Sequence, residues 1–169
     1  MNKESHSSDI RIDKDGQWHF RNAEMVREDI VHYFYQHLKR DQQGRYLIEI
    51  EEDRCYVEVE DTPYFIRSVT FLASSSKGFP CIELSISDGT KEMLNLNAIF
   101  RIGKGNVLYC PVKNGEHEAR FSRPAYYQLC EKFEYREKEK RYLLKVGDHL
   151  YPLVVTPDVC GEAGHNSDF

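Results

Sequence analysis

The sequence predicts an α+β protein made of two duplicated ββαββ units, each a curved antiparallel sheet with one covering helix. Two observations carry this. Residues 12–61 read as strand, turn, strand, helix, strand, turn, strand, and residues 107–155 repeat that order. Lys113-Asn114-Gly115 stands where Lys14-Asp15-Gly16 stood, and Arg141-Tyr142-Leu143-Leu144 where Arg45-Tyr46-Leu47-Ile48 stood. Two copies are too few for a solenoid. The expected organisation is a mobile tail over 1–9, an N-terminal unit over 10–73, a linking hairpin over 74–106, a C-terminal unit over 107–156 and a second tail over 157–169.

Ile10, Ile12, Trp18 and Phe20 alternate with polar residues around a turn whose Gly16 suits a positive φ, which predicts a hairpin. A helix is expected from an Asn22 cap to about Lys39, with Val26, Ile30, Phe34 and Leu38 at every fourth position and Glu24, Glu28 and Asp29 in its opening turns. Residues 45–51 and 55–60 alternate as a second hairpin, and Pro63 interrupts the ladder before a strand over 64–73. The Ser74–Pro80 stretch is a loop. Ile82, Leu84 and Ile86 alternate up to an Asp88-Gly89 turn, and Leu94 and Leu96 alternate beyond it.

In the second copy, strands over 107–112 and 116–121 flank Asn114-Gly115. Ser122 is a good N-cap and Pro124 a good early helical residue; Tyr126, Leu129, Cys130 and Phe133 then form an apolar face. Strands over 141–146 and 149–155 close the unit.

The chain has 169 residues, 40% of them hydrophobic and 30% charged, with a formal net charge of -5. Lys and Arg are interleaved with acids, so there is no basic stripe and no nucleic-acid partner is expected. No apolar run approaches the roughly 20 residues of a spanning helix, so no membrane partner is expected and a cytoplasmic location is. Five scattered cysteines read as reduced, buried thiols.

No GxSxG, Walker-type, HExxH or CxxC spacing occurs, so no catalytic set, metal set or cofactor is predicted. His32 and His37 lie five residues apart and face away from each other, Gly103-Lys104-Gly105 reads as a turn, and Glu58 and Glu60 occupy the polar phase of a strand. The stretch with the most chemistry is Arg123-Pro124-Ala125-Tyr126-Tyr127. Arg123 at a helix start, with unpaired N–H groups and the dipole behind it, suits an anion, and Tyr126 and Tyr127 can stack on a planar ring. Such a place suits a phosphate or nucleotide-like small molecule. The same residues also fit a structural role, with Arg123 paired to Glu60 or Asp61 and the tyrosines in the core. Exposed strand edges and tyrosine faces leave a protein partner as the other reading.

IDKDGQWHF near the start, RYLIEI and VEVEDTPYFI after the first helix, ARFSRPAYYQL at the second and LLKVGDHLYPL at the end resemble the bacterial family known as domain of unknown function 1285. The resemblance implies a duplicated α+β core, a C-terminal half loosely like a pleckstrin-homology barrel, a groove between the halves for a nucleotide-like ligand, and a part in signalling. It carries over Trp18, Glu60, Asp61, Pro63, Arg123, Tyr126 and Tyr127 as motif residues of that groove.

Overall fold

A computed structural model describes residues 6–157, and in them two helices and three sheets make an α+β, mostly-sheet fold. The first sheet has the order β3-β2-β1-β6-β5-β4. Its strands are β1 (His6–Ile12), β2 (Trp18–Phe20), β3 (Ala23–Glu24), β4 (Leu38–Arg40), β5 (Tyr46–Ile50) and β6 (Asp53–Val59), with α1 (Glu28–Gln36) between β3 and β4. The second sheet joins β7 (Tyr64–Leu72), β8 (Cys81–Ile86), β9 (Lys91–Met93), β10 (Ile99–Gly103), β11 (Val107–Val112) and β12 (His117–Phe121). After α2 (Arg123–Cys130), the strands β13 (Phe133–Arg136), β14 (Arg141–Val146) and β15 (His149–Pro152) form a third sheet, and β16 (Val154–Pro157) returns to the second.

The hairpins fall where the turn residues put them. Gly16 has φ +82 between β1 and β2, and Asp13 locks that turn by accepting the N–H groups of Asp15 and Gln17, each at 2.9 Å. Pairing between hairpins is another matter. β1 lies parallel to β6, β12 parallel to β7, and β10 parallel to β16. The expectation of one antiparallel sheet per unit is therefore corrected. Elements of the C-terminal stretch are divided between two sheets, and the parallel pair β1·β6 joins the two hairpin halves of the N-terminal one.

Six boundaries also differ. The first helix is shorter than expected, because Arg21 and Asn22 take positive φ and turn the chain into β3, which pairs Ala23 with Phe20. At its other end Leu38 pairs with Ile48, so the fourth apolar position of the helical pattern is a strand residue. β9 stops at Met93, where the Asn95 side chain takes the Asn97 N–H and starts a turn. Phe133 lies in β13 and not on the helix, since the alternating 133–136 stretch finds β14 as its partner. The strand expected over 149–155 breaks after Pro152, and Val154–Pro157 leaves to pair with β10. β1 starts at His6, inside the stretch read as a tail; residues 1–5 and 158–169, with Cys160, lie outside the described residues. Cys55, Cys81, Cys110 and Cys130 are free thiols, but only Cys110 is buried, so the expectation of buried thiols is corrected for the other three, which lie at partly exposed strand and helix positions.

Buried side chains of all three sheets and α2 form one cluster, including Ile12, Trp18, Ile66, Phe100, Leu129 and Leu144. Each large aliphatic side chain buried there contributes roughly 1.5–3 kcal/mol. A polar bolt crosses it. The Tyr35 hydroxyl of α1 donates to Pro63 O at 2.8 Å, so Ser87 Oγ–H is the donor in the 2.9 Å contact between them, and Ser87 Oγ accepts the Phe65 N–H. These bonds tie α1 to the start of β7 and to Ser87 just after β8.

Candidate functional site

α2 begins as its sequence dictates. Ser122 Oγ accepts the Ala125 N–H at 3.3 Å, Pro124 has no N–H to satisfy, and the Tyr126 N–H goes to Ser122 O. The turn thus consumes most of the donors that a helix start offers an anion, leaving at most the Arg123 N–H beside its side chain. What remains at this place is charge. Arg123 is exposed and makes no hydrogen bond or ion pair with the described residues, and no acidic residue stands in the first turn of α2.

Arg123, Tyr126 and Tyr127 line a cleft of about 680 Å³. Lys14 and Asp15 of the β1–β2 turn and Asn106 of the β10–β11 turn form its other walls, with Phe65 and Arg120 beneath. The two tyrosine rings meet edge-on at 5.7 Å, and Tyr127 is 65% exposed. Tyr126 is half-buried and packs against the core, while Tyr127 stands outside it. A hydrogen bond with Cys130, followed by partial burial, pushes the Tyr126 hydroxyl above its ordinary pKa, so it stays protonated and able to donate.

Glu60 and Asp61 stand behind this cleft, each held by a residue other than Arg123. Arg11 and the Lys14 N–H both bind the Glu60 carboxylate, at 2.5 and 2.9 Å. Asp61 accepts from Arg120 at 2.9 Å and from the Tyr109 hydroxyl at 2.7 Å. Burial and that bond push Tyr109 up to about 12, while the Arg101 guanidinium stacks over its ring at 3.8 Å and pairs with Glu118. Asp61 therefore orients Arg120, which faces the cleft, and the Arg123 pairing with Glu60 or Asp61 does not occur.

Trp18 goes elsewhere. It is 2% exposed, packs edge-on against Tyr35 at 4.9 Å, and lines a different cavity. Pro63 is buried and serves as the acceptor for Tyr35. Sequence reasoning missed Lys14, Asn106 and Arg120 as cleft residues, although the first two sit in turns it located. Among the described residues no group of three or more His, Cys, Asp or Glu could hold a metal ion, and no helix is long and apolar enough to cross a membrane.

Fold and cleft define the class: a mostly-sheet α+β protein with a cleft at the meeting of two sheets and a helix start. Residues 2–62 match the family described as "Domain of unknown function (DUF1285), N-terminal domain", in line with the resemblance of the chain's motifs to that family. The fold is similar to that of a crystal structure of a DUF1285 family protein from Silicibacter pomeroyi DSS-3, at 20% identity and a TM-score of 0.69, covering 88% of this chain and 80% of that one. It is also similar to a DUF1285 family protein from Shewanella baltica OS155, at 19% identity and a TM-score of 0.55, covering 75% of this chain and 94% of that one. No curated protein matches.

Proposed function

We propose that the protein is a cytoplasmic ligand-binding or sensory module whose cleft takes a nucleotide-like or other phosphorylated small molecule, with a role in signalling. The observation that carries this is the convergence of an unpaired Arg123 with Tyr126 and Tyr127 on one cleft of ligand size. Arg123 holds the anion, bidentate where the phosphate allows, and Tyr127 offers an exposed ring face for a base. Lys14 and the oriented Arg120 add positive charge, and Asp15 bars a ligand that is negative along its whole length. The repeated element order of 12–61 and 107–155 supports reading the two halves as a duplication with a loosely pleckstrin-homology-like second half.

Thermal-shift measurements with nucleotides and phosphorylated metabolites test the reading. At least one should raise the melting temperature of the wild-type protein, and Arg123→Ala should abolish that rise. No rise with any compound, or an equal rise in Arg123→Ala, removes it.

A protein partner is the second reading, favoured by the exposed tyrosines of the third sheet. Tyr135 and Tyr142 are 52% and 53% exposed, with ring centroids 5.0 Å apart on paired strands. Affinity capture that is lost in Tyr135→Ala/Tyr142→Ala and kept in Arg123→Ala would select it.

A further inference from the structure

The cavity that Trp18 lines has a volume of about 420 Å³ and shares no lining residue with the cleft. It lies where the start of α1, the β1–β2 turn and the β8–β9 turn meet. Its size falls within the range of roughly 300–1,000 Å³ typical of small-molecule sites.

Three charged side chains reach this cavity without an ion-pair partner among the described residues. Arg67 of β7, Glu24 of β3 and Glu28 at the start of α1 all line the cavity, and none of their side chains makes a hydrogen bond or ion pair with the described residues. Glu28 and His32 are four residues apart, so they share one face of α1, with Val31 beside them. His32 is set against bare backbone: a Cβ on Gly89 would lie 3.0 Å from its ring. The indole of Trp18 is buried in the same wall; its Nε1–H makes no hydrogen bond of regular geometry and lies beside the Tyr35 hydroxyl, whose acidity it affects.

We propose that this cavity binds a free amino acid with a cationic side chain. Arg67 takes the α-carboxylate, and Glu24 and Glu28 take the α-ammonium and the side-chain cation. One guanidinium and two carboxylates carry a net charge of minus one, which a basic amino acid of net plus one neutralises group for group, whereas a neutral zwitterion leaves one carboxylate unmatched. Trp18, Met25 and Val31 supply the apolar surface that the methylenes of such a side chain cover.

Trp18 is the only tryptophan, so its emission reports on the cavity. Titrating the full chain with L-lysine and L-arginine should give a saturable change in emission, and the methyl esters and N-acetyl derivatives should fail to give it. Arg67→Ala should weaken binding about 10- to 100-fold, and Glu28→Gln should weaken lysine more than norleucine. Both residues are exposed and unbonded, so these variants keep the fold. Arg123→Ala should leave the titration unchanged, which keeps this site separate from the cleft whatever the cleft binds. The proposal is overturned by the absence of any saturable change with basic amino acids at millimolar concentration, by wild-type affinity in Arg67→Ala, or by equal affinity for norleucine and lysine.

Discussion

The two helices start in opposite ways. α1 begins after Arg27, whose side chain makes no cap, with Glu28 and Asp29 in the first turn. α2 begins after Ser122, which does cap, with Arg123 first and no acid in the turn. Acid at the start of α1 answers its dipole locally, and the Asp29 carboxylate is in turn held by Arg27 at 2.6 Å. At α2 the cap answers the backbone while a cation adds to the positive end. Each start borders a cavity, and the two cavities therefore carry opposite charge: Glu24 and Glu28 around one, Arg123, Lys14 and Arg120 around the other. The difference teaches that similar element orders place helix starts at similar positions along the chain, while a few side chains decide what each start attracts.

Packing separates the two regions as strongly as charge does. α2 buries Ala125 and Leu129 completely, whereas α1 buries only Tyr35 and leaves Ile30 and Phe34 in an open apolar groove. Leu129→Ala should cost about 2–5 kcal/mol in urea unfolding and Ile30→Ala only about 1 kcal/mol, since the groove already admits water at that side chain. Equal costs would break the comparison.

The two matching turns give a narrower contrast. Gly16 and Gly115 have φ of +82 and +83, so alanine is strained at both by about 1–2 kcal/mol. A Cβ at Gly16 would also lie 2.6 Å from the Phe65 ring, while at Gly115 nothing lies within 4 Å. Gly16→Ala should therefore lose roughly 1–3 kcal/mol more than Gly115→Ala. A difference smaller than measurement error would mean that Phe65 yields freely.

His117 probes the contact between the regions. Its ring lies 5.1 Å from Tyr64, and its Nδ1 meets the Tyr46 hydroxyl at 3.3 Å. Burial, helped by the nearby Arg40 charge, holds its pKa below the ordinary 6.5. The unfolded chain then takes up the proton first. Stability is complete above about pH 6.5 and is lost as the pH falls from there through the folded value. His117→Asn should flatten this part of the pH dependence of the urea midpoint; an unchanged slope would assign it to other groups. This is the smallest of the effects.

Much of the fold was legible because turns and periodicity are local. Gly16, Asp88-Gly89 and Asn114-Gly115 mark hairpins by backbone chemistry alone, and Ser122-Arg123-Pro124 marks a helix start to the residue. The first helix was overextended because Val26 and Leu38 fit a period of four, while residues 23–25 turn back onto β2 and Leu38 pairs with β5, contacts that no local pattern displays. At the candidate cleft, Arg123, Tyr126 and Tyr127 were legible together since one helical turn holds them. Lys14, Asn106 and Arg120 were not, because nothing in their own stretches says that two distant turns and β12 come to the same place.

By itself the sequence determined the main turns and hairpins, the presence of two helices, the α+β class and the cation at the start of α2. Tertiary structure alone decided that β1 lies along β6 and β12 along β7, that Trp18 leaves the cleft for the wall of another cavity, and that Asp61 holds Arg120 and not Arg123. The reason is the range of the forces. Dihedral preference and apolar period act within a few residues, whereas strand edges and ion pairs choose among partners 40 to 60 positions away, and that choice follows from which arrangement buries the whole core at once.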